Sequence, residues 1–238
     1  MPFKALFIGL VGLLLSSYHS FCQQSNSSIQ IVGAMRNVMW KGQLYGTLDL
    51  DTISNKHHLF GLGPVEFLTG ELLIIDGKAY KSSVLTDSTM RVEETFQAKA
   101  PFFGYANINS WSEQNLPDHI RTISQLESFL EKITKKSNRP FFFQLKGKIE
   151  KAQIHVVNLP KGSTVSSPEE AHQGQTNYFL TNEEVDILGF FSTEHKAIFT
   201  HHDTYLHMHL ITSDKQKMGH LDDFLFQEGT FKLYLPNP

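Results

Sequence analysis

The chain has 238 residues, of which 40% are hydrophobic and 12% aromatic, and its formal net charge is −3. This length and apolar content suffice to bury the core of one large or two small domains. The charge provides no basic field, so the composition gives no support for binding to nucleic acid or to an anionic membrane surface. The 19 phenylalanines favour strands over helices.

The first residues have the pattern of a secretory signal peptide, which we place at residues 1–22. A lysine precedes an apolar run over residues 5–15, and small residues stand at Ser20 and Cys22. The run is too short to span a bilayer comfortably. The alternatives are a lipoprotein signal at Cys22, which the bulky Phe21 disfavours, and a buried N-terminal helix. We therefore predict an exported protein, periplasmic or secreted, whose mature chain has no disulfide and no cysteine metal ligand.

The N-terminal half alternates apolar segments with turn signals. A Gln/Ser/Asn-rich start at residues 23–30 predicts disorder. The Asp76-Gly77 pair is a hairpin turn signal. The predicted strands lie at residues 31–48 (a strand that runs into a turn or short helix), 59–63, 71–75, 78–80 and 101–108.

One helix is predicted, over about residues 118–136. Apolar residues recur at helical spacing after Pro117, and Lys135 and Lys136 near the C-terminal end suit the helix dipole. We interpret the apolar stripe of this helix as core packing rather than as a binding site.

The C-terminal half is rich in strand patterns. Residues 141–149 predict a strand, with residues 152–157 as its hairpin partner. Residues 160–175 have loop composition and form either a linker or a mobile loop over a site. The further predicted strands lie at residues 185–191, 197–200, 205–211 and 230–235. The predicted fold is a β-rich α+β architecture, with an N-terminal β-rich subdomain over residues 31–160 and a C-terminal β subdomain over residues 161–238.

Three histidines near the C-terminus have the spacing of metal ligands. His207 and His209 lie two residues apart, so on a strand their side chains share one face. The loop over residues 212–219 is long enough to bring His220 to them as a third nitrogen donor. Three protein ligands with an open fourth position are typical of catalytic zinc. The alternative is that the pair are ordinary surface or core histidines, because twelve histidines make about one chance His-x-His pair expected.

Other histidine patterns fit a metal site less well. A cupin would carry a glutamate where Ser213 stands, and an alpha-type carbonic anhydrase would need a longer gap before its third ligand. The pairs His57-His58 and His201-His202 diverge on a strand and predict polar turns or edges. His202 or Asp203 is a candidate for hydrogen-bond support of the metal histidines.

Several short motifs occur in a fixed order along the chain. They are Phe60-Gly61-Leu62-Gly63, Gly70-Glu71-Leu72, Asp76-Gly77-Lys78-Ala79-Tyr80, Ala100-Pro101-Phe102, Glu170-Ala171, Gly189-Phe190, His207-x-His209 with Gly219-His220, and Leu235-Pro236-Asn237. In this order and spacing they resemble the alpha-acetolactate decarboxylase family over nearly the whole mature length.

This resemblance implies two mixed or antiparallel β subdomains with a zinc site between them, commonly in a homodimer. It implies that His207, His209 and His220 bind zinc and that Glu71 orients water and relays protons, the alternative for Glu71 being a solvated strand carboxylate. The implied activity is that of a carboxy-lyase, which converts 2-acetolactate (2-hydroxy-2-methyl-3-oxobutanoate) to (R)-acetoin and carbon dioxide. In this reaction zinc would act as a Lewis acid that stabilises the enediolate left when carbon dioxide departs, and a positioned donor would protonate that enediolate on one face.

The implied substrate-binding residues depart from the family pattern. Gln144 stands where the family carries an arginine, and an amide cannot offset the charge of a carboxylate or copy the guanidinium fork. Lys146, two residues further and on the same strand face, is a candidate to restore the charge. The alternative is that Lys146 is an ordinary solvent-facing lysine.

Two further departures lie near the implied site. Pro64 replaces a threonine that is usual in the family, which removes a backbone donor and a hydroxyl. The sequence reaches Pro238, so we expect it to lack the family's C-terminal tail with its second glutamate, for which Glu66 or Glu228 is a candidate substitute. These departures support an alternative function, a diverged, non-catalytic zinc protein that binds a small acid. A positive group opposite the zinc favours the enzyme, whereas an apolar or blocked cleft favours the binding protein.

Overall fold

The computed structural model describes residues 29–137, 139–200 and 204–237. The predicted signal peptide over residues 1–22 lies outside these ranges. So do most of the predicted disordered start, the His201-His202 pair and Asp203. Within the described ranges, no helix combines the length and the apolar character needed to cross a membrane.

Strands are the main secondary structure of the described residues, which also contain three α-helices. In chain order the elements are β1 (Gln30–Val32), α1 (Met35–Lys41), β2 (Leu48–Asp49), β3 (Leu59–Pro64), β4 (Glu71–Ile75), β5 (Lys78–Val84), β6 (Met90–Glu94), β7 (Lys99–Ala100), β8 (Phe103–Asn107), β9 (Trp111–Asn115), α2 (Ile123–Ile133), β10 (Phe141–Val156), α3 (Pro168–Ala171), β11 (Thr176–Thr181), β12 (Glu184–Phe191), β13 (Leu206–Thr212), β14 (Met218–Phe226) and β15 (Lys232–Pro236). Two short 3-10 turns lie at Leu50–Thr52 and Glu66–Leu68. The predicted β-rich α+β fold is confirmed.

The first sheet is six-stranded and antiparallel, in the order β1-β8-β3-β4-β5-β6. The predicted hairpin turn joins β4 to β5, because Ile75 pairs with Lys78 across a two-residue loop. Asp76 and Gly77 both have positive φ, 48° and 78°, as a type I′ turn requires. The strand predicted to run into a short helix at residues 31–48 is β1 followed by α1.

The second sheet contains a closed ring of strand pairings through β10. The first half of β10 pairs with β12 and its second half pairs with β14, while β13 pairs with both β12 and β14. Along its other edge, β10 pairs with β15 in its first half and with β11 in its second half, and β15 in turn pairs with β9. This ring places β10, β13 and β14 next to one another.

The hairpin predicted over residues 141–157 is wrong, because β10 is one continuous strand of 16 residues. The strand bends through register shifts in its pairing with β14, between Ile149 and Lys151 and between Gln153 and Ile154. A bulge of this kind curves a strand without reversing it, so the polar residues in its middle do not form a turn.

Two other predicted elements are corrected. The helix covers Ile123–Ile133 rather than residues 118–136, because Thr122 and Gln125 form a capping box and Thr134 closes the C-terminal end through its bonds to the Leu130 carbonyl. Residues 197–200 form a turn rather than a strand. The backbone N–H groups of residues 198–200 all point to the carbonyl of His195, at 2.9–3.1 Å.

The two sheets pack against each other through β3, β4 and β5 of the first sheet and β10, β12 and β14 of the second. As predicted, Leu206, Met208 and Leu210 of β13 face a core, which they share with α2. The alternate residues of β13 face the junction of the two sheets. The division into subdomains at residue 160 stays a prediction, but β9 and β10, which precede that residue, belong to the second sheet.

Candidate metal centre

Three buried histidines converge on one point of the second sheet. His207 and His209 lie on the same face of β13, and His220 of β14 pairs directly with His209. The candidate ligand nitrogens of the three side chains all lie within 4.8 Å of one another. The structure therefore brings the three sequence-predicted histidines together, and the cluster could hold a metal ion.

His207 is oriented by the turn that precedes β13. Its Nδ1 atom lies 2.7 Å from the carbonyl oxygen of Phe199. A carbonyl can only accept, so Nδ1 carries the hydrogen and Nε2 is the nitrogen available to a metal. The turn at residues 197–200, which the sequence suggested to be a strand, thus fixes the tautomer of a candidate ligand.

His209 provides the observation that fits the cluster to a metal. Both of its ring nitrogens are buried and have no hydrogen-bond partner of good geometry among the described residues. Burial lowers the pKa of His209 from its ordinary value to about 3, and the neighbouring His155 adds to this effect, whereas the backbone of Leu72 opposes it. The imidazole is therefore neutral, and the neutral form is the one that binds metals.

Glu71, the sequence-predicted carboxylate, lies beside the cluster. It is the first residue of β4, it is buried, and its Oε2 atom is 3.7 Å from Nε2 of His209. Its Oε1 atom accepts a hydrogen bond from the backbone N–H of Val157 at 3.3 Å. Burial raises the pKa of Glu71 well above its ordinary value, the Val157 bond opposes this effect, and the charge of Asp222 adds to it. Glu71 is therefore not the solvated strand carboxylate of the alternative interpretation.

The cluster opens into a cavity of about 540 Å³. One wall is apolar, with Met35, Met39 and Trp40 from α1, and Leu68 and Phe102 beside them. The other wall comes from the segment at residues 160–175. This segment therefore lies over the site, as one of its two predicted roles requires. The mobility of the segment stays a prediction. The members of this second wall are Ser166, Ser167, Pro168, Glu169 and His172.

The predicted substrate-binding residues lie elsewhere. Gln144 is buried on β10 between Leu188 and Tyr234, and Lys146 is 3.9 Å from Asp186 and half-exposed. Neither residue lines the cavity, and among the described residues no lysine or arginine does.

The two candidate substitutes for the family's second glutamate also lie away from the cavity. Glu66 accepts a hydrogen bond from the backbone N–H of Gly46 at 3.1 Å, and Glu228 is exposed. The carboxylates that line the cavity, among the residues described, are Glu71 and Glu169. Pro64 lines the cavity and pairs with Glu71 across β3 and β4.

His155 of β10 is a cavity residue that the sequence interpretation missed. It pairs with His220 across β10 and β14, their ring centroids are 4.7 Å apart, and its Nδ1 atom is 2.7 Å from Asp222 Oδ1. His209, His220 and His155 therefore form one row across three neighbouring strands. The available signal was the alternation of Ala152, Ile154 and Val156 with polar residues. It was hidden because residues 141–157 were interpreted as two strands.

The chain is similar in sequence to known alpha-acetolactate decarboxylases. The family model described as alpha-acetolactate decarboxylase matches residues 32–235. The alpha-acetolactate decarboxylase of Lactococcus lactis subsp. cremoris is 28% identical over 196 residues, which cover 81% of this chain and 78% of the relative. That of Brevibacillus brevis is 24% identical over 223 residues, which cover 89% of this chain and 74% of the relative.

Solved structures share the fold. The acetolactate decarboxylase of Bacillus subtilis subspecies spizizenii superposes with a TM-score of 0.74 at 22% identity, covering 88% of this chain and 86% of that one. A Staphylococcus aureus protein described as similar to alpha-acetolactate decarboxylase gives a TM-score of 0.68 at 18% identity, with coverages of 88% and 85%. With the family model spanning nearly all of the described residues, the chain belongs to the alpha-acetolactate decarboxylase family.

Proposed function

We propose that the protein is a zinc-dependent carboxy-lyase that converts 2-acetolactate to (R)-acetoin and carbon dioxide. The observation that carries the proposal is the convergence of His207, His209 and His220 beside the buried carboxyl group of Glu71. Three imidazole ligands suit zinc and leave room for a small substrate in the fourth position. Membership of the family supports the reaction class.

The residues of the chain divide the work of this reaction. A metal held by the three histidines supplies a Lewis acid for the negative charge that develops as carbon dioxide departs. Glu71 lies next to His209 and is placed to hold or deliver a proton at Oε2. Because Glu71 lies on one side of the cluster only, its proton would reach one face of the carbanion that remains after carbon dioxide departs, which formation of a single enantiomer requires.

The apolar wall supports the departure of carbon dioxide. Met35, Met39 and Phe102 line the cavity with apolar surface. A carboxylate bound against such a wall loses hydration, whereas neutral carbon dioxide does not need it. The wall therefore favours the product side of the cleavage.

A second candidate function is a non-catalytic protein that binds a small acid through a zinc ion. The observation that favours it is the lack of lysine and arginine among the described residues that line the cavity. Without such a residue, only the metal offsets the charge of a substrate carboxylate. Of the two cleft features that favour the binding protein, the apolar wall is present and a blocked cleft is not, because the cavity is open. The open cavity supports the enzyme, and the apolar wall is compatible with both functions.

The test is acetoin release from racemic acetolactate by the purified zinc-loaded protein, with the product resolved by chiral chromatography. The metal-free protein and a His207→Ala/His209→Ala variant are the controls. Formation of (R)-acetoin above the spontaneous rate, lost in both controls, is expected. Stoichiometric zinc binding without acetoin would reject the enzyme and support the binding protein. Export and homodimer formation stay predictions.

A further inference from the structure

His155 is held in one orientation at the edge of the metal cluster. The side chain is buried, and its Nδ1 atom is 2.7 Å from Oδ1 of Asp222 on the neighbouring strand. The Asp222 carboxylate accepts this hydrogen, so in the neutral ring Nε2 is an acceptor. In the part of the chain that the structure describes, Nε2 has no hydrogen-bond partner, and the residue lines the cavity.

The ring of His155 lies against a candidate metal ligand. Its centroid is 4.7 Å from that of His220 and the planes are tilted by 31°. A molecule that enters the cavity and binds beside His220 therefore meets His155. The second imidazole of the cavity, His172, is 6.0 Å from His155 and donates from Nδ1 to the carbonyl of Pro168. The structure shows no ring contact of His172 with the three clustered histidines in the described residues.

We propose that Nε2 of His155 accepts a hydrogen bond from the hydroxyl group of a 2-hydroxy-3-oxo acid, with Asp222 as the positioning residue that sets the tautomer. This role rests on the proposed function. The substrate has three polar groups, and near neutral pH the carboxylate and the ketone can only accept. The hydroxyl group is the only donor, so an acceptor nitrogen beside the metal selects acids that carry the hydroxyl. A site built for a substrate hydroxyl discriminates against the analogue that lacks it.

The test uses two unreactive probes, 2-hydroxy-2-methylbutanoate and 2-methylbutanoate. Neither has a ketone, so neither undergoes this decarboxylation, and they differ only in the hydroxyl group. Isothermal titration calorimetry of the zinc-loaded protein gives the dissociation constant of each probe. The quantity compared is the constant for 2-methylbutanoate divided by that for 2-hydroxy-2-methylbutanoate, which measures the preference for the hydroxyl group. His155→Leu is expected to reduce this ratio by about three- to tenfold, the range of one hydrogen bond. The metal's preference for the hydroxyl is common to both proteins and cancels.

Three further variants separate hydrogen bonding from structure. Asp222→Asn is expected to reduce the ratio as His155→Leu does, because an amide donor to Nδ1 places the hydrogen on Nε2. His155→Gln, which retains an acceptor oxygen, is expected to recover part of it. His172→Leu is the matched cavity control and is expected to retain the wild-type ratio. Zinc stoichiometry and unfolding temperature are measured for each variant to verify the fold.

An equal loss of affinity for both probes in His155→Leu would overturn the proposal, since it would show that His155 contacts the carboxylate or shapes the cavity. A ratio that falls in His172→Leu instead would also overturn it. Because the probes need no turnover, a lack of acetoin release would contradict the decarboxylase without changing this result. Where acetoin is released, His155→Leu is expected to raise KM for acetolactate, and His155→Gln to restore part of it.

Discussion

The Oε2 atom of Glu71 lies 3.7 Å from the Nε2 atom of His209, and both side chains are buried. Glu71 belongs to the first sheet and His209 to the second, so the pair lies where the two sheets meet. Without a metal, burial raises the pKa of Glu71 and lowers that of His209 to about 3. Burial therefore disfavours the charged form of each group in the metal-free protein, because an isolated buried charge is costly.

The metal-free protein is expected to lose stability as the pH falls, because of His209. Below its ordinary pKa of 6.5, the unfolded chain takes up a proton that the folded chain accepts only near pH 3. The contribution of His209 to stability is therefore fully present above pH 6.5 and is lost as the pH falls through this window, by up to about 1.4 kcal/mol per pH unit. Urea unfolding in the presence of a chelator, between about pH 4.5 and 7, measures it.

The raised pKa of Glu71 has the opposite effect on the free energy of unfolding over part of the same pH window. The quantity to compare between variants is therefore the slope of this free energy against pH. His209→Gln is expected to remove the loss of stability at low pH relative to the wild type. His119, which is exposed, provides the control, and His119→Gln is expected to keep the wild-type slope. Identical slopes in the wild type and His209→Gln would contradict the assigned burial effect.

Zinc binding is expected to depend on the cluster and not on the other imidazoles of the cavity. His209→Gln removes one of three ligands, so it is expected to lose stoichiometric zinc and the rise in unfolding temperature on zinc addition. In the wild type, zinc at one hundred times its dissociation constant stabilises the fold by about 2.7 kcal/mol. Inductively coupled plasma spectrometry and differential scanning calorimetry measure the two effects.

The matched control for zinc binding is His172→Gln. His172 lines the same cavity but is not part of the three-histidine cluster. We expect this variant to retain one zinc per chain. Loss of zinc in both variants would mean that the metal is bound by a different set of ligands.

The sequence predicted the local features of this fold better than the long-range ones. The two-residue spacing of His207 and His209 and the Asp76-Gly77 turn depend on neighbouring residues only, and the structure contains both. The end of α2 at Ile133 depends on the bonds of Thr134 to the Leu130 carbonyl. The predicted end was later because Lys135 and Lys136 are typical of the last turn of a helix.

The long-range features were hidden for a physical reason. Whether the chain turns back after Ile149 depends on which strands are available to pair with β10, and these include β12 and β14, far along the chain. The same applies to His155, whose position beside His220 follows from that pairing. The half-exposed edge strands β6 and β9 were missed because they carry few of the apolar residues that mark a strand.

Gly189→Ala is expected to destabilise the fold by about 1–3 kcal/mol through overpacking. Gly189 of β12 pairs with Phe143 of β10, and a Cβ at this position would lie 2.1 Å from the Cζ atom of the buried phenylalanine ring. The ring has no room to retreat, because it belongs to the core shared with α2. Urea unfolding measures the loss.

A double-mutant cycle identifies the cause of that loss. In a Phe143→Leu background, the ring atoms that oppose Gly189 are absent, so the further cost of Gly189→Ala is expected to be smaller than in the wild type. Equal costs in the two backgrounds would show that the ring is not what the methyl group meets.

Glu71→Gln is expected to lower the rate of acetoin formation by about 100-fold or more, with one zinc retained per chain. The amide is nearly the same size, and its Oε1 atom can still accept from the Val157 N–H at 3.3 Å, so the fold is preserved. It cannot exchange a proton, and positioned acid–base groups contribute about 100- to 10,000-fold to rate. The three histidines are untouched, which is why zinc is expected to stay.

Glu228→Gln is the matched control, because Glu228 is exposed and lies away from the cavity. This variant is expected to keep the wild-type rate. A Glu71→Gln enzyme with the wild-type rate and enantiomeric excess would show that the proton comes from another group. A Glu71→Gln protein that loses its zinc as well would make Glu71 part of the metal site, since its Oε2 atom already lies next to Nε2 of His209. Retained zinc with a slow reaction is the one outcome that separates proton transfer from metal binding.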